Sequence, residues 1–133
     1  MRNKPFHALK LWGRALERLR WNPETKLAST ALFREDFEDY PVHDEHLEGL
    51  SNFLNHLLQA DVVLVLKEME KKRVKGSYRS ASDTDVAELA KAYGGGGHRK
   101  AAGFVADGAI VERPDGWVVQ QSDLGPPFEL PAL

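Results

Sequence analysis

Residues 93–104 read Tyr-Gly-Gly-Gly-Gly-His-Arg-Lys-Ala-Ala-Gly-Phe, and this stretch carries the strongest signal in the 133-residue chain. Four consecutive glycines cannot pack a core, and glycine loses more backbone entropy on folding than any other residue. What the glycines offer is open access to backbone N–H groups, which can form a concave nest for a phosphate oxygen. His98 follows directly and can donate to that oxygen. The stretch therefore predicts an anion-binding loop anchored on a buried Ala-Ala-Gly-Phe segment.

The residues after the glycines refine this prediction. If residues 98–102 begin a helical turn, its N-terminus adds partial positive charge to the loop. Arg99 and Lys100 are basic, but solvation accounts for them better than phosphate binding does. The stretch contains neither the Gly-Lys-Ser/Thr of a P-loop nor a G-x-G-x-x-G that follows a strand. The alternative to an anion-binding loop is a flexible surface loop after a helix.

The composition is typical of one soluble domain, with 42% hydrophobic and 29% charged residues. The formal net charge is −2, so any contact with nucleic acid has to be local. The absence of cysteine excludes a disulfide framework and cysteine-ligated zinc, and it fits a reducing, cytoplasmic environment. No apolar run is long enough to span a bilayer, and no signal segment is evident, so we expect no membrane partner.

Hydrophobic periodicity predicts an alternation of helices and strands. Residues 5–21 form the first helix, with Leu9, Trp12, Leu16 and Leu19 on its apolar side. The other predicted elements are a strand at 26–33, a short acidic helix at 34–40, a helix at 44–59 with Asp44 as its N-cap, a strand at 61–68, a strand at 73–80 after a Lys71-Lys72 turn, a helix from a Ser82-x-x-Asp85 capping box to Tyr93 with Gly94 at C′, and a hairpin of strands 109–112 and 117–120.

This order of elements predicts an α/β fold with one mixed β-sheet and flanking helices. Residues 1–22 are expected to form an N-terminal amphipathic linker helix ahead of the folded domain at 23–122. Residues 123–133 are Pro-rich and are expected to form an irregular tail.

The glycine-rich stretch resembles the GGGH-x-x-AAG-F signature of the DHHA1 domain, the C-terminal substrate-binding domain of the DHH/DHHA1 phosphoesterases. The preceding segments match in order. Val-Lys-Gly-Ser-Tyr-Arg-Ser at 74–80 resembles the family strand that ends in S-x-R-S, and Asp-Val-Ala-Glu-Leu-Ala at 85–90 resembles its D-V-A-x-x-A helix. The acidic helix start at 44–50 is also similar, and the resemblance covers about residues 26–106. Within the superfamily the chain resembles the RecJ-like enzymes that degrade very short RNAs, as oligoribonucleases, and dephosphorylate 3′-phosphoadenosine 5′-phosphate.

The resemblance implies a set of residues that hold a phosphate or the nucleotide end of a substrate. These residues are Arg79, Ser80, Gly94, Gly95, Gly96, Gly97 and His98. A guanidinium suits a phosphate or a carboxylate through paired hydrogen bonds. Two alternatives stay open, namely that Arg79 pairs with Asp83 or Asp85 and that His98 bonds a neighbouring carbonyl.

The resemblance also implies that catalysis belongs to another domain. The family's catalytic half holds a manganese pair with several Asp and His residues, including an Asp-His-His motif that this sequence lacks. We therefore expect no catalytic residue, no metal ligand and no cofactor in this chain, with manganese in the missing DHH domain. The chain alone is expected to be inactive, whereas a full-length parent would be a manganese-dependent phosphodiesterase or phosphatase. The family usually continues into another helix where this chain has a hairpin and a Pro-rich end.

Three functions follow as hypotheses. The first is the substrate-binding domain of a DHH-family phosphoesterase, with short RNA, a single-stranded nucleic-acid end or a nucleotide phosphate as ligand and a DHH catalytic domain as partner. The second is a stand-alone nucleotide- or RNA-binding module. The third is an interaction domain that docks its N-terminal helix on another protein. The sequence is compatible with an oligomer in each case.

Overall fold

A mixed β-sheet organises the chain in a computed structural model that describes residues 6–37, 43–58 and 60–122. Its elements in chain order are α1 (Phe6–Glu17), β1 (Arg20–Asn22), β2 (Leu27–Leu32), α2 (Arg34–Phe37), α3 (Asp44–Leu57), β3 (Val62–Met69), β4 (Arg73–Ser80), α4 (Val86–Lys91), β5 (Gly96–His98), β6 (Ala101–Arg113) and β7 (Gly116–Gln121).

The strands lie in the order β1-β2-β3-β4-β6-β5, and β7 pairs with the second half of β6. Strands β2 and β3 run parallel, as the helical connection between them allows, and the other pairs are antiparallel. The predicted α/β class, with one mixed sheet and flanking helices, is confirmed. The predicted Lys71-Lys72 turn is also confirmed, with both residues at positive φ.

Each face of the sheet packs its own apolar core. Helices α1 and α3 cover what we call the α3 face, whose buried residues are Leu11, Ala15, Ala28, Leu32, Leu47, Leu50, Leu54, Ala60, Val63 and Val65. Helix α4 covers the α4 face, whose buried residues include Leu64, Leu66, Val74, Tyr78, Val86, Ala90, Phe104 and Trp117. Because successive strand residues point to opposite faces, β4 divides in the same way: Val74 and Tyr78 join the α4 core, while Lys75, Ser77 and Arg79 lie on the α3 face.

The first helix differs from its prediction in length and in the face it buries. It ends at Glu17, and residues Arg20–Asn22 form an edge strand beside β2 instead of a last helical turn. Its buried residues are Ala8, Leu11 and Ala15, whereas Leu9 and Leu16 are exposed. The predicted stripe was right for Trp12 and Leu19, which pack against the core, and wrong for Leu9 and Leu16. Hydrophobicity alone ranks the buried alanines of the helix below leucine.

Two predicted helix caps are also corrected. His43, not Asp44, occupies the N-cap of α3, and its amide donates to Nδ1 of His46. Asp85, not Ser82, caps α4 by accepting a 3.0 Å hydrogen bond from the Ala87 amide. The predicted helix ends at residues 40 and 59, and the predicted tail at 123–133, lie outside the described residues.

The predicted C-terminal hairpin is confirmed, but its first strand is longer than predicted. Strand β6 runs unbroken for 13 residues, so it pairs with β4 and β5 through its first half and with β7 through its second half. The turn at Pro114-Asp115 then brings Trp117 onto the α4 face.

Candidate functional site

The first glycine of the run ends helix α4. Gly94 has a φ of +81°, its amide donates to Lys91, and the next amide, of Gly95, donates to Ala90. This pair of bonds is a Schellman ending, which favours glycine at C′ because a Cβ there would be strained. The C′ position predicted for Gly94 is thus confirmed.

The second and fourth glycines allow close approach of two backbones. A Cβ on Gly95 would lie 2.1 Å from the Gly103 carbonyl oxygen, and one on Gly97 would lie 2.7 Å from the Ala101 carbonyl oxygen. Gly97 also has a φ of +144°. The third glycine differs, because a Cβ on Gly96 would meet nothing within 4 Å.

The predicted nest was wrong, and the helical turn considered for residues 98–102 is not formed. Residues Gly96–His98 form the edge strand β5, and Arg99-Lys100 is the turn into β6. The backbone of β5 is extended and hydrogen-bonds to β6 along one edge, so it adds a strand to the sheet. A nest would require a curled backbone instead. The glycines therefore provide a flat surface without side chains.

Strand register brings two of the predicted residues onto one line across the sheet. Arg79 pairs with Ala101, and Ala101 pairs with His98, so these three residues share the α3 face in a single row. The backbones of Arg79 and His98 are two strand spacings apart, about 10 Å. In the adjacent row Ser77 pairs with Gly103, which pairs with Gly96. The site thus has basic side chains on both sides of an alanine and a glycine floor beside them.

A cleft of about 290 Å³ opens over these rows, between the start of α3 and the glycine edge of the sheet. Its lining residues are Asp44, Leu47, Glu48, Val65, Lys67, Lys75, Gly76, Ser77, Arg79, Gly96, Gly97, Ala101, Ala102 and Gly103. His98 is exposed beside it. Small residues dominate the floor, so a ligand can approach the backbone closely.

The guanidinium of Arg79 is oriented by neutral groups. Its Nε donates to Oδ1 of Asn52 at 2.8 Å, and its Nη1 donates to the Tyr78 carbonyl at 2.9 Å and to Oγ of Ser77 at 3.3 Å. Among the ion pairs of the described residues, none involves Arg79. The alternative pairing with Asp83 or Asp85 is thus not formed. The positive charge is held in place at the cleft, and no carboxylate of the described residues pairs with it.

Ser80 is separated from the other predicted site residues. It is buried, and its hydroxyl accepts from the Ser82 amide at 3.3 Å and donates to the Ser82 carbonyl at 3.2 Å. Its register places it on the α4 face, opposite the cleft. Arg99 and Lys100 in turn donate to the backbone carbonyls of Asp83 and Ser82.

Several cleft residues were missed by sequence reasoning. Lys75 and Ser77 precede the predicted Arg79 in β4 at a spacing of two, and that period alone places all three on one face. Asn52 could not be found in this way, because it reaches Arg79 from α3, 27 positions earlier in the chain. Lys67 was assigned only to a strand end, yet it lines the cleft through its pairing with Lys75.

Within residues 6–37, 43–58 and 60–122, no three His, Asp or Glu side chains form a group that could hold a metal ion. None of the helices in this part of the chain is both long and apolar enough to cross a membrane.

The fold and the cleft define an α/β module with a glycine edge strand and an arginine at the cleft. Residues 25–113 match the family model of the DHHA1 domain, and the chain belongs to that family. The likeness inferred from the glycine signature, over about residues 26–106, is therefore confirmed at the level of the domain.

Two solved structures share the fold. An exopolyphosphatase-related protein of Bacteroides fragilis superposes with a TM-score of 0.67 at 23% identity, over 77% of this chain and 30% of that protein. A pGpG-specific phosphodiesterase of Vibrio cholerae, PggH, superposes with a TM-score of 0.50 at 18% identity, over 74% of this chain and 33% of that protein. The chain thus spans about a third of the length of each.

Proposed function

We propose that this chain is the domain of a DHH-family phosphoesterase that binds the phosphate of a nucleotide or of a short RNA. One observation carries the proposal: the guanidinium of Arg79 is fixed by neutral acceptors, has no carboxylate partner among the described residues, and shares a row with His98. An ionised donor held in this way favours an anion, because charge-assisted hydrogen bonds are the strong ones. Membership of the DHHA1 family and the two phosphoesterase-related folds support the proposal.

In this proposal the chain contributes binding and orientation. Arg79 and the N–H or imidazole of His98 hold phosphate oxygens, while the floor at Gly96 and Gly103 lets the sugar or base lie against the backbone. The partner DHH domain would hold the manganese ions, which supply a metal-activated water. Fixing the substrate beside that water is catalysis by proximity. Ser80 has no part in this assignment, since its hydroxyl is engaged on the opposite face.

Isothermal titration calorimetry with adenosine monophosphate and with pGpG tests the proposal. We expect both ligands to bind the wild-type chain, and Arg79→Ala to weaken both by about tenfold or more, since bonds to charged groups are worth ~1.5–3 kcal/mol. His98→Ala should weaken binding in the same direction.

Arg99→Ala is the matched control, because it removes the same charge one residue from His98 while its guanidinium bonds the Asp83 carbonyl. Its affinity should equal that of the wild type. Equal losses of affinity in Arg99→Ala and Arg79→Ala would mean that general electrostatic attraction, and not a defined site, accounts for binding. No binding by wild type, or unchanged affinity in both Arg79→Ala and His98→Ala, would refute the proposed site.

A further inference from the structure

Two lysines face each other at the end of the cleft that lies away from His98. Lys67 of β3 pairs directly with Lys75 of β4, and both lie on the α3 face and line the cleft. Like charges directly opposite each other destabilise a sheet. The pair therefore concentrates positive charge at this end of the cleft.

The carboxylates nearby compensate only part of this charge. Asp44 is 3.1 Å from the Lys75 ammonium, and the hydrogen bond from Lys75 holds the pKa of Asp44 below its usual value. Lys67 takes part in no ion pair of the described residues; its ammonium lies 5.2 Å from the ring centre of Phe37. Burial lowers the pKa of Lys67 and repulsion from Lys75 adds to this, while Asp44 opposes the shift.

The charges that line the whole cleft sum to a positive value. Lys67, Lys75 and Arg79 contribute three positive charges, and Asp44 and Glu48 contribute two negative charges. Since Asp44 is engaged with Lys75, Lys67 is the lysine at this end that forms no ion pair with a described residue.

The two cationic ends of the cleft lie along one strand. Lys75 and Arg79 are four residues apart on β4, so their backbones are about 13 Å apart. A nucleoside monophosphate carries one phosphate and can occupy one end, whereas an oligonucleotide carries further phosphates that can occupy the other.

We infer that Lys67 and Lys75 form a second anion subsite, which binds a phosphate farther along the strand whose first phosphate is held by Arg79 and His98. The inference rests on the proposed function. It gives the domain a preference for short single-stranded oligonucleotides over mononucleotides, because only the former engage both ends. Glu48 also lines the cleft, and its carboxylate repels the phosphates of a bound strand.

The test compares adenosine monophosphate with a 5′-phosphorylated tetra-adenylate, titrated at several salt concentrations against the wild-type chain and Lys67→Gln. Lys67→Gln should weaken the tetranucleotide about tenfold and lower the slope of its log affinity against log salt by about one. The affinity for adenosine monophosphate should not change. Lys91→Gln, which removes the same charge from α4 on the opposite face, should change neither ligand.

Two further variants make the outcome decisive. Lys75→Gln should reproduce the length-dependent loss, and Glu48→Gln should tighten the tetranucleotide, with thermal melting confirming that each variant is folded. An equal effect of Lys67→Gln on both ligands, or none on the tetranucleotide, overturns the second subsite but leaves the proposed function standing. If the wild type binds neither ligand, the proposed function itself fails, and the subsite with it.

Discussion

Four glycines that are identical in sequence have three different physical roles. Gly94 takes a left-handed conformation that ends a helix, whereas Gly95 and Gly97 touch the backbone of β6 so closely that no Cβ fits. Gly96 has no positive φ, and a Cβ on it would meet nothing within 4 Å, on the floor of the cleft. The entropy that glycine costs on folding is therefore offset by structure at three positions and, on our proposal, by ligand access at the fourth.

Gly96 and Gly95 give a paired test of this division. Gly96→Val should change stability by less than about 0.5 kcal/mol, as surface substitutions usually do, yet weaken nucleotide binding because its side chain fills the floor. Gly95→Ala should lose about 1–3 kcal/mol through overpacking against the Gly103 carbonyl. Thermal melting and calorimetry on the same samples measure both effects. If Gly96→Val lowers the melting temperature while nucleotide binding persists, Gly96 serves the fold and not ligand access.

At the scale of elements, one carboxylate connects three segments. The side chain of Asp36, on the four-residue helix α2, is fully inaccessible to solvent. It accepts bonds of 2.6 and 2.9 Å from the guanidinium of Arg18, just beyond α1, and one of 2.7 Å from the Phe33 amide after β2. These bonds join α2 to the end of β2 and to the segment that follows α1.

The Asp36 cluster predicts acid sensitivity. Burial raises the pKa of Asp36, but the bonds from Arg18 and Phe33 outweigh burial and leave the pKa below its usual value. A lowered folded-state pKa contributes stability above the unfolded pKa, and that contribution is lost as the pH falls through the folded value. Asp36→Asn should therefore cost about 2 kcal/mol at pH 7, and the difference should shrink below about pH 3.9. Urea unfolding across this range measures it; a cost independent of pH would contradict the prediction.

At the scale of the whole molecule, the C-terminal hairpin closes back onto the start of the sheet. The Trp117 amide donates to Oγ of Ser29 at 2.9 Å, and its indole donates to the Arg18 carbonyl at 2.7 Å. Arg20 and Glu112 form an ion pair at 2.6 Å between β1 and β6. Trp117 thus contacts residues almost 100 positions earlier in the chain. It lies in the core of the α4 face, and the cleft lies on the α3 face.

Trp117 should therefore matter for stability and not for binding. Trp117→Ala removes a buried aromatic and should cost about 3–5 kcal/mol. Trp21→Ala is the matched control, since Trp21 is 45% exposed and should cost far less. Denaturant unfolding compares the two variants, and calorimetry below the melting temperature should show unchanged nucleotide affinity in both. Equal stability losses would show that the hairpin does not close the core in this way.

The sequence by itself determined the class and order of the elements, because periodicity of two and of 3.6, turn residues and helix endings are local properties. It also led to the DHHA1 domain and to Arg79 and His98 as candidate ligands through the glycine signature. The tertiary structure decided which of the candidate site residues lie close together. The register of β4, β6 and β5 brings Arg79 and His98 into one row and turns Ser80 away from it.

The tertiary structure also decided which unassigned residues complete the cleft. Asn52 reaches Arg79 from another element, and Lys67 meets Lys75 across a strand pair. The glycine run became a flat strand instead of a nest because β6 offered it a hydrogen-bonding edge. Register and partner choice depend on contacts between distant segments, and the packing of the whole sheet sets those contacts, so no local pattern contains them.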